Sequence, residues 1–125
     1  MTENKRILIA DDEETVRSLV KRLLGKTYKV MEANNGEEAV KVAVNQKPDL
    51  ILMDILMPKM DGLTACYAIK RNQATKEIPV VMLTAVDYEL NRKLSQDVMG
   101  AQGYITKPFN SEALMSMITK FIAPN

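Results

Sequence analysis

The sequence contains no histidine, no tryptophan and one cysteine, Cys66, among its 125 residues. Without histidine, neither a Ser-His-Asp nor a Cys-His catalytic site can form, and most zinc sites are excluded too. A single cysteine rules out an internal disulfide, which fits a reducing compartment. The chemistry open to this chain is therefore that of carboxylates, hydroxyls and lysines.

The chain also lacks an excess of charge of one sign and a long apolar run. Its 17 basic and 16 acidic residues give a formal charge of +1. No global field therefore favours nucleic acid or an anionic membrane as a partner. Near the N-terminus only four apolar residues follow one another, at 7–10, too few for a signal peptide or a membrane span. We expect a cytoplasmic protein that contacts neither DNA nor a membrane.

Length and composition indicate one globular domain. Hydrophobic residues make up 46% of the chain and charged residues 26%, which is ordinary for a soluble domain of this size. We expect a single domain over residues 1–125, with its core at about 5–122. After Phe121 only four residues remain, so we expect no DNA-binding domain in this chain.

Short apolar runs alternate with amphipathic segments along the chain. The predicted strands are 6–10, 28–33, 50–53, 78–83 and 103–106. The predicted helices are 14–24, 37–45, 63–72, 88–98 and a last helix that Ser111 would cap. This alternation predicts a (βα)₅ doubly wound α/β fold, with a five-stranded parallel sheet and helices on both faces. The expected strand order is 2-1-3-4-5, as in flavodoxin-like folds.

Polar residues stand where four of the five predicted strands end. Asp11 and Asp12 follow the first strand, and Asp54 follows the third. Thr84 ends the fourth strand, and Lys107 follows the fifth. Ligands of open parallel sheets bind at the carboxyl ends of the strands, where the strand order reverses. For this order the reversal lies between the first and third strands, so we expect these side chains to meet there.

Most of these residues also have a structural explanation. Asp11 and Asp12 can stabilise the start of a helix through its dipole, Thr84 suits a strand, and Lys107 can be a solvated lysine. Helix capping explains Asp54 poorly, because the next predicted helix begins several residues later, at 63. Three converging carboxylates favour Mg²⁺ or Mn²⁺. With Lys107 and Thr84 they would form a phosphoryl-transfer site in which Asp54 is the nucleophile.

Five motifs, in this order, resemble the receiver domains of response regulators in two-component systems. They are Asp11-Asp12, Asp54 within the stretch 51–58, Asp61-Gly62, Thr84-Ala85 and Lys107-Pro108-Phe109. The resemblance covers about residues 5–122. It implies a phosphorylation-activated switch in which Asp54 takes a phosphoryl group from a phosphohistidine. The donor would be a sensor histidine kinase or a histidine phosphotransfer protein.

The resemblance also implies roles in metal binding. Asp12 and Asp54 would bind Mg²⁺ directly, together with the backbone carbonyl of Leu56, and Asp11 would act through the water shell of the metal. The protein would not be an enzyme in the usual sense, since it would catalyse only its own phosphorylation and a slow dephosphorylation.

Activation is implied to move two residues. Lys107 would pair with the phosphoryl group, and Thr84 would form a hydrogen bond to it and move toward it. Tyr104 stands at the aromatic switch position, where the ring turns inward when Thr84 moves. An unknown downstream target would read the face formed by the fourth helix, the fifth strand and the last helix. We expect a monomer or a weak phosphorylation-dependent dimer.

Two positions that tune phosphate lifetime in the family are apolar here, Leu56 and Val86. We expect neither to orient a water molecule. A haloacid-dehalogenase-type phosphohydrolase is an alternative, but it usually has a second aspartate where Leu56 stands. A flavodoxin-like electron carrier would need a hydroxyl-rich and glycine-rich phosphate loop in place of residues 11–14. A receiver that binds partners without phosphorylation is a third alternative, and the intact acidic set argues against it.

Overall fold

The computed structural model describes residues 4–84 and 100–123. Its strands are β1 (Arg6–Ala10), β2 (Lys29–Ala33), β3 (Leu50–Asp54), β4 (Val80–Thr84) and β5 (Gly103–Thr106). Its helices are α1 (Glu14–Leu24), α2 (Gly36–Gln46), α3 (Gly62–Arg71) and α4 (Ser111–Thr119). The helix predicted at 88–98 lies outside the described residues. Within the described ranges, no helix is long and apolar enough to cross a membrane.

The five strands form one parallel sheet of order β2-β1-β3-β4-β5. The predicted strand order is therefore confirmed. Every residue of β3 and β4 is buried, which explains why these runs are apolar without alternation: strands inside a parallel sheet are covered on both faces.

Alternate residues of β1 divide between two cores. Ile7 and Ile9 belong to one core, which includes residues of α1 and α4 such as Val20, Leu24, Leu114 and Ile118. Leu8 and Ala10 belong to the other, which includes residues of α2 and α3 such as Ala39, Ala43, Ala65 and Ile69. The described helices thus pack on both faces of the sheet.

The last helix begins one residue away from its predicted cap. Asn110, not Ser111, is the N-cap of α4, because its side-chain oxygen accepts a 2.8 Å hydrogen bond from the amide of Ala113. Ser111 is the first residue of the helix. Asparagine and serine cap helices about equally well, so two adjacent candidates cannot be separated from the sequence.

Candidate functional site

The carboxylates of Asp11, Asp12 and Asp54 meet at the carboxyl edge of the sheet. One oxygen of each lies within 4.8 Å of the others. This follows from the strand order, because β1 and β3 are neighbours and Ala10 pairs with Met53 at their ends. Asp11 and Asp54 are buried, whereas Asp12 is exposed. The convergence expected from the sequence is therefore present.

Asp11 is held from several sides and is fully buried. Its amide donates a 3.0 Å hydrogen bond to the carbonyl oxygen of Ala33. Its Oδ1 accepts a 2.9 Å hydrogen bond from the amide of Glu13, and its Oδ2 accepts one of 2.8 Å from the ammonium of Lys107. Both carboxylate oxygens of Asp11 thus have partners within the protein. This leaves Asp12 and Asp54 as the carboxylates more open to an ion.

Lys107 lies between two of the three carboxylates. Its Nζ is 2.8 Å from Asp11 Oδ2 and 3.5 Å from Asp54 Oδ1. Burial lowers the pKa of this ammonium, but the hydrogen bond to Asp11 and the charges of Asp54 and Asp11 outweigh burial and raise the pKa above 10.5. Lys107 is therefore a cation at neutral pH. The peptide bond that joins it to Pro108 is cis.

Thr84 and Lys107 are joined through the backbone. The amide of Lys107 donates a 2.6 Å hydrogen bond to the carbonyl oxygen of Thr84, and Thr84 pairs with Thr106 in the sheet. Thr84 is buried at the end of β4. The ends of β4 and β5 thus carry a hydroxyl and an ammonium to the same edge as the carboxylates.

The carboxyl of Asp54 is an unusually weak acid. Burial and the charge of Asp11 raise its pKa from 3.8 to about 6, against the opposing effect of Lys107, and the charge of Asp12 adds to the rise. A divalent cation would stabilise the ionised forms of these crowded carboxylates, because it offsets their mutual repulsion. Three carboxylates are hard oxygen donors, and this donor set fits Mg²⁺ or Mn²⁺.

The loop after β3 returns close to the phosphoacceptor candidate. Gly62 donates a 2.8 Å hydrogen bond to the carbonyl oxygen of Ile55, and a Cβ at Gly62 would overlap the main-chain oxygen of Asp54. Asp61 caps α3 by accepting a 2.8 Å hydrogen bond from the amide of Thr64. The Asp61-Gly62 motif therefore lets the loop approach Asp54. Sequence reasoning used this motif only as part of a resemblance.

Sequence reasoning also missed Arg17. Its guanidinium donates a 2.8 Å hydrogen bond from an Nη to the carbonyl oxygen of Asp11. In the sequence, Arg17 stands on the polar side of a helix, where arginines are ordinarily solvated. No local signal distinguishes it.

Of the remaining predicted residues, the structure describes Leu56 and Tyr104. Leu56 lies two residues after the end of β3 and is 77% exposed. Tyr104 lies in β5 beside Met82 and is buried. Val86 lies outside the described residues.

A pocket of about 390 Å³ adjoins the site on the side of α1. It is lined by Val16, Leu19, Lys107, Pro108 and Phe109. Its lining is mostly apolar, and Lys107 connects it to the carboxylates. An apolar recess next to a charged centre is suited to a protein partner that brings a reactive group to that centre.

Comparison with known proteins gives one family. The response regulator receiver domain family matches residues 7–119. The alkaline phosphatase synthesis transcriptional regulatory protein PhoP of Bacillus subtilis is 42% identical over 108 residues, which are 86% of this chain and 44% of that protein. The chain spans half the length or less of PhoP and of the next two curated relatives.

Solved structures similar to this chain belong to the same class of signalling proteins as the sequence relatives. Chemotaxis protein CheY4 of Vibrio cholerae has a TM-score of 0.90 at 29% identity, and the match covers 96% of this chain and 100% of that chain. The receiver domain of sensor histidine kinase PA1611 from Pseudomonas aeruginosa has a TM-score of 0.87 at 27% identity, covering 95% and 98%. That structure has a magnesium ion coordinated in its active site cleft.

Proposed function

This chain belongs to the response regulator receiver domain family and is a phosphorylation-activated signalling switch, and we propose that Asp54 is its phosphoacceptor. The supporting observation is the meeting of Asp11, Asp12 and Asp54 with the Lys107 ammonium at one edge of the sheet. Asp54 is the last residue of a fully buried strand, and its Oδ1 lies 3.5 Å from the Lys107 ammonium.

The reaction is an in-line displacement at phosphorus. A carboxylate oxygen of Asp54 attacks, the bond from phosphorus to the donor breaks, and the donor leaves with its electron pair. With a pKa of about 6, the carboxylate of Asp54 is mostly ionised at neutral pH, yet it is more basic than an ordinary aspartate. Lys107 then turns to the new phosphoryl oxygens, and the hydroxyl of Thr84 donates a hydrogen bond to them.

Asp12, Asp54 and the backbone carbonyl of Leu56 would hold Mg²⁺, and Asp11 would act through its water shell. When bound, Mg²⁺ supplies positive charge that stabilises the transferring group. Asp11 is suited to an indirect role because Glu13 and Lys107 already occupy its two oxygens.

The donor is a phosphohistidine on a sensor histidine kinase or a phosphotransfer protein. The pocket lined by Val16, Leu19, Pro108 and Phe109 beside Lys107 supports this, because it offers a docking surface next to the reacting carboxylate. The chain catalyses only its own phosphorylation and slow dephosphorylation in the cytoplasm. The downstream target reads a face that includes β5 and α4; the helix predicted at 88–98, which the sequence assigned to the same face, lies outside the described residues.

The test is phosphorylation by a small-molecule donor. Incubation with acetyl phosphate and Mg²⁺ should add one phosphoryl group, seen by intact mass, and Asp54→Asn should abolish the adduct. Asp61→Asn is the matched control, since Asp61 follows the same strand but caps α3. An adduct of undiminished yield on Asp54→Asn would contradict the proposal.

The metal requirement is tested separately. EDTA should prevent phosphorylation, and Asp12→Ala should weaken Mg²⁺ binding without unfolding the protein, because Asp12 is exposed. Unchanged Mg²⁺ affinity of Asp12→Ala in a calorimetric titration would exclude Asp12 as a ligand.

A further inference from the structure

Arg17 links the loop that carries the acidic pair to strand β2. From α1, its Nη1 donates a 2.8 Å hydrogen bond to the main-chain carbonyl oxygen of Asp11. Its Nε donates one of 3.1 Å to Oε1 of Glu32, in β2. The side chain of Arg17 is only 15% exposed. One guanidinium therefore joins α1, β2 and the β1–α1 loop at Asp11, one of the three clustered carboxylates.

The contact fixes a main-chain atom at the start of this loop. Asp11 is joined to Ala33 through its amide and to Glu13 through its Oδ1. Arg17 satisfies its carbonyl oxygen, so that main-chain and side-chain groups of Asp11 are all held. The direction of this peptide unit sets where the next residue, Asp12, begins.

We infer that Arg17 is a positioning residue for the metal site: its hydrogen bond to the Asp11 carbonyl holds the acidic loop so that Asp12 faces Asp54. The inference builds on the proposed function, because it assumes that these carboxylates bind Mg²⁺. Arg17 itself does not ligate the ion or touch the phosphoryl group.

Lys21 provides a matched comparison on the same helix. Its Nζ lies 3.1 Å from Oε2 of Glu32, the carboxylate that Arg17 also binds. The side chain of Lys21 is 51% exposed, and its ammonium is paired with Glu32, whereas the Asp11 carbonyl is bonded to Arg17. Replacing Lys21 thus removes a cation and an ion pair to Glu32 while leaving the Asp11 carbonyl bond in place.

Positioning and simple electrostatics predict opposite results for Arg17. Removing a cation near a cation site lowers the repulsion of Mg²⁺, so an electrostatic role predicts tighter binding by Arg17→Met. Loss of positioning predicts weaker binding, because residues that orient metal ligands typically contribute about 10- to 100-fold to affinity. The direction of the change therefore identifies the role.

The experiment is calorimetric titration of the whole protein with Mg²⁺. We expect Arg17→Met to bind Mg²⁺ about tenfold more weakly than wild type, and Lys21→Met to bind it as tightly as wild type or slightly more tightly. Half-maximal phosphorylation by acetyl phosphate should need correspondingly more Mg²⁺ in Arg17→Met, while the rate at saturating Mg²⁺ stays close to wild type.

A second measurement needs no metal. The Glu13 amide donates to Asp11 Oδ1, so its hydrogen exchange in EDTA reports the order of the loop. Exchange should be faster in Arg17→Met and unchanged in Lys21→Met. Amide NMR spectra of both variants also show whether they fold. If Arg17→Met does not fold, Glu32→Gln is used in its place, because it weakens the contact that anchors Arg17 to β2. Glu32→Gln should then weaken Mg²⁺ binding and speed exchange at Glu13, both to a smaller extent.

The outcomes separate the two proposals. If wild type binds no Mg²⁺ and takes no phosphoryl group, the proposed function fails. If wild type does both, and Arg17→Met matches Lys21→Met in Mg²⁺ affinity and in exchange at Glu13, the role of Arg17 alone is overturned.

Discussion

The ammonium of Lys107 donates a 2.8 Å hydrogen bond to Oδ2 of Asp11, joining residues 96 positions apart in the sequence. The side chain of Asp11 is fully buried and that of Lys107 is 16% exposed. Oδ1 of Asp54 lies farther from the same ammonium, at 3.5 Å. Before phosphorylation, Lys107 is therefore paired mainly with Asp11, and a phosphoryl group on Asp54 has to attract it away from that carboxylate.

The first prediction concerns this pair. Lys107→Met should lower the free energy of unfolding of the metal-free protein by roughly 3 kcal/mol, because it leaves the buried Asp11 carboxylate without its cation. Adding Asp11→Asn should recover most of the loss. The measurement is urea unfolding in EDTA, with Lys21→Met as control, since exposed ion pairs typically contribute about 1 kcal/mol or less. A loss for Lys107→Met no larger than for Lys21→Met would contradict the expectation.

The second prediction concerns pH. The pKa of Asp54 is raised from 3.8 to about 6, so the folded protein holds this proton at pH values where the unfolded chain has lost it. Stability contributed by the protonated form is therefore lost as pH rises from about 4 to about 6. A rise of this size corresponds to a penalty of about 3 kcal/mol at neutral pH. Asp54→Asn removes the penalty.

The check is urea unfolding of wild type and Asp54→Asn in EDTA from pH 4 to pH 7. The advantage of Asp54→Asn should grow across this range and should shrink when Mg²⁺ is added at pH 7. A difference between the two proteins that does not change with pH would show that burial and the charge of Asp11 do not act on Asp54 in this way.

Several elements could be predicted closely from the sequence. The bounds of β1, α1 and β5 agree with their predictions, because periodicity and flanking charged or glycine residues mark them. The predicted fourth strand began too early, at Ile78, whereas β4 begins at Val80. Pro79 has no amide to donate to the ladder, and the amide of Val80 bonds instead to the side chain of Gln102.

The candidate site was predictable to the extent that it depends on strand ends. Parallel strands of known order bring Asp11, Asp54 and Lys107 to one edge, whatever the details of the loops. Arg17 and Gly62 were not predictable, since their roles depend on contacts with main-chain oxygens of Asp11 and Asp54. Arg17 belongs to no motif, and the Asp61-Gly62 motif does not show which atom Gly62 approaches, so these contacts become visible only in the three-dimensional structure.

The third prediction concerns Tyr104. Tyr104 is buried in β5, which pairs directly with β4. It can therefore respond to movement of Thr84 at the end of β4. Adding beryllofluoride and Mg²⁺ should shift the NMR signals of Tyr104 as well as those around Asp54, because ligand binding shifts a two-state equilibrium. Tyr28 is the control, since it is also buried but lies just before β2, which is at the opposite edge of the sheet from β5. Shifts at Tyr104 no larger than at Tyr28 would count against the switch.

The last prediction concerns the lifetime of the phosphorylated state. Hydrolysis needs a water molecule in line with phosphorus, and a group that orients it can contribute on the order of 10²–10⁴ in rate. The side chain of Leu56 offers no hydrogen bond, and this residue, two positions after Asp54, is 77% exposed. We therefore expect slow dephosphorylation of wild type, a gain of about tenfold for Leu56→Asn, below the full general-base range, and a further gain when Val86→Glu is added. Leu56→Ala is the control, since it removes the same apolar side chain without adding a polar group.

The measurement is decay of the phosphorylated protein after the donor is removed. Equal decay of wild type and the double variant would show that these positions do not set the lifetime, and acceleration by Leu56→Ala alone would assign the effect of Leu56 to shielding from water.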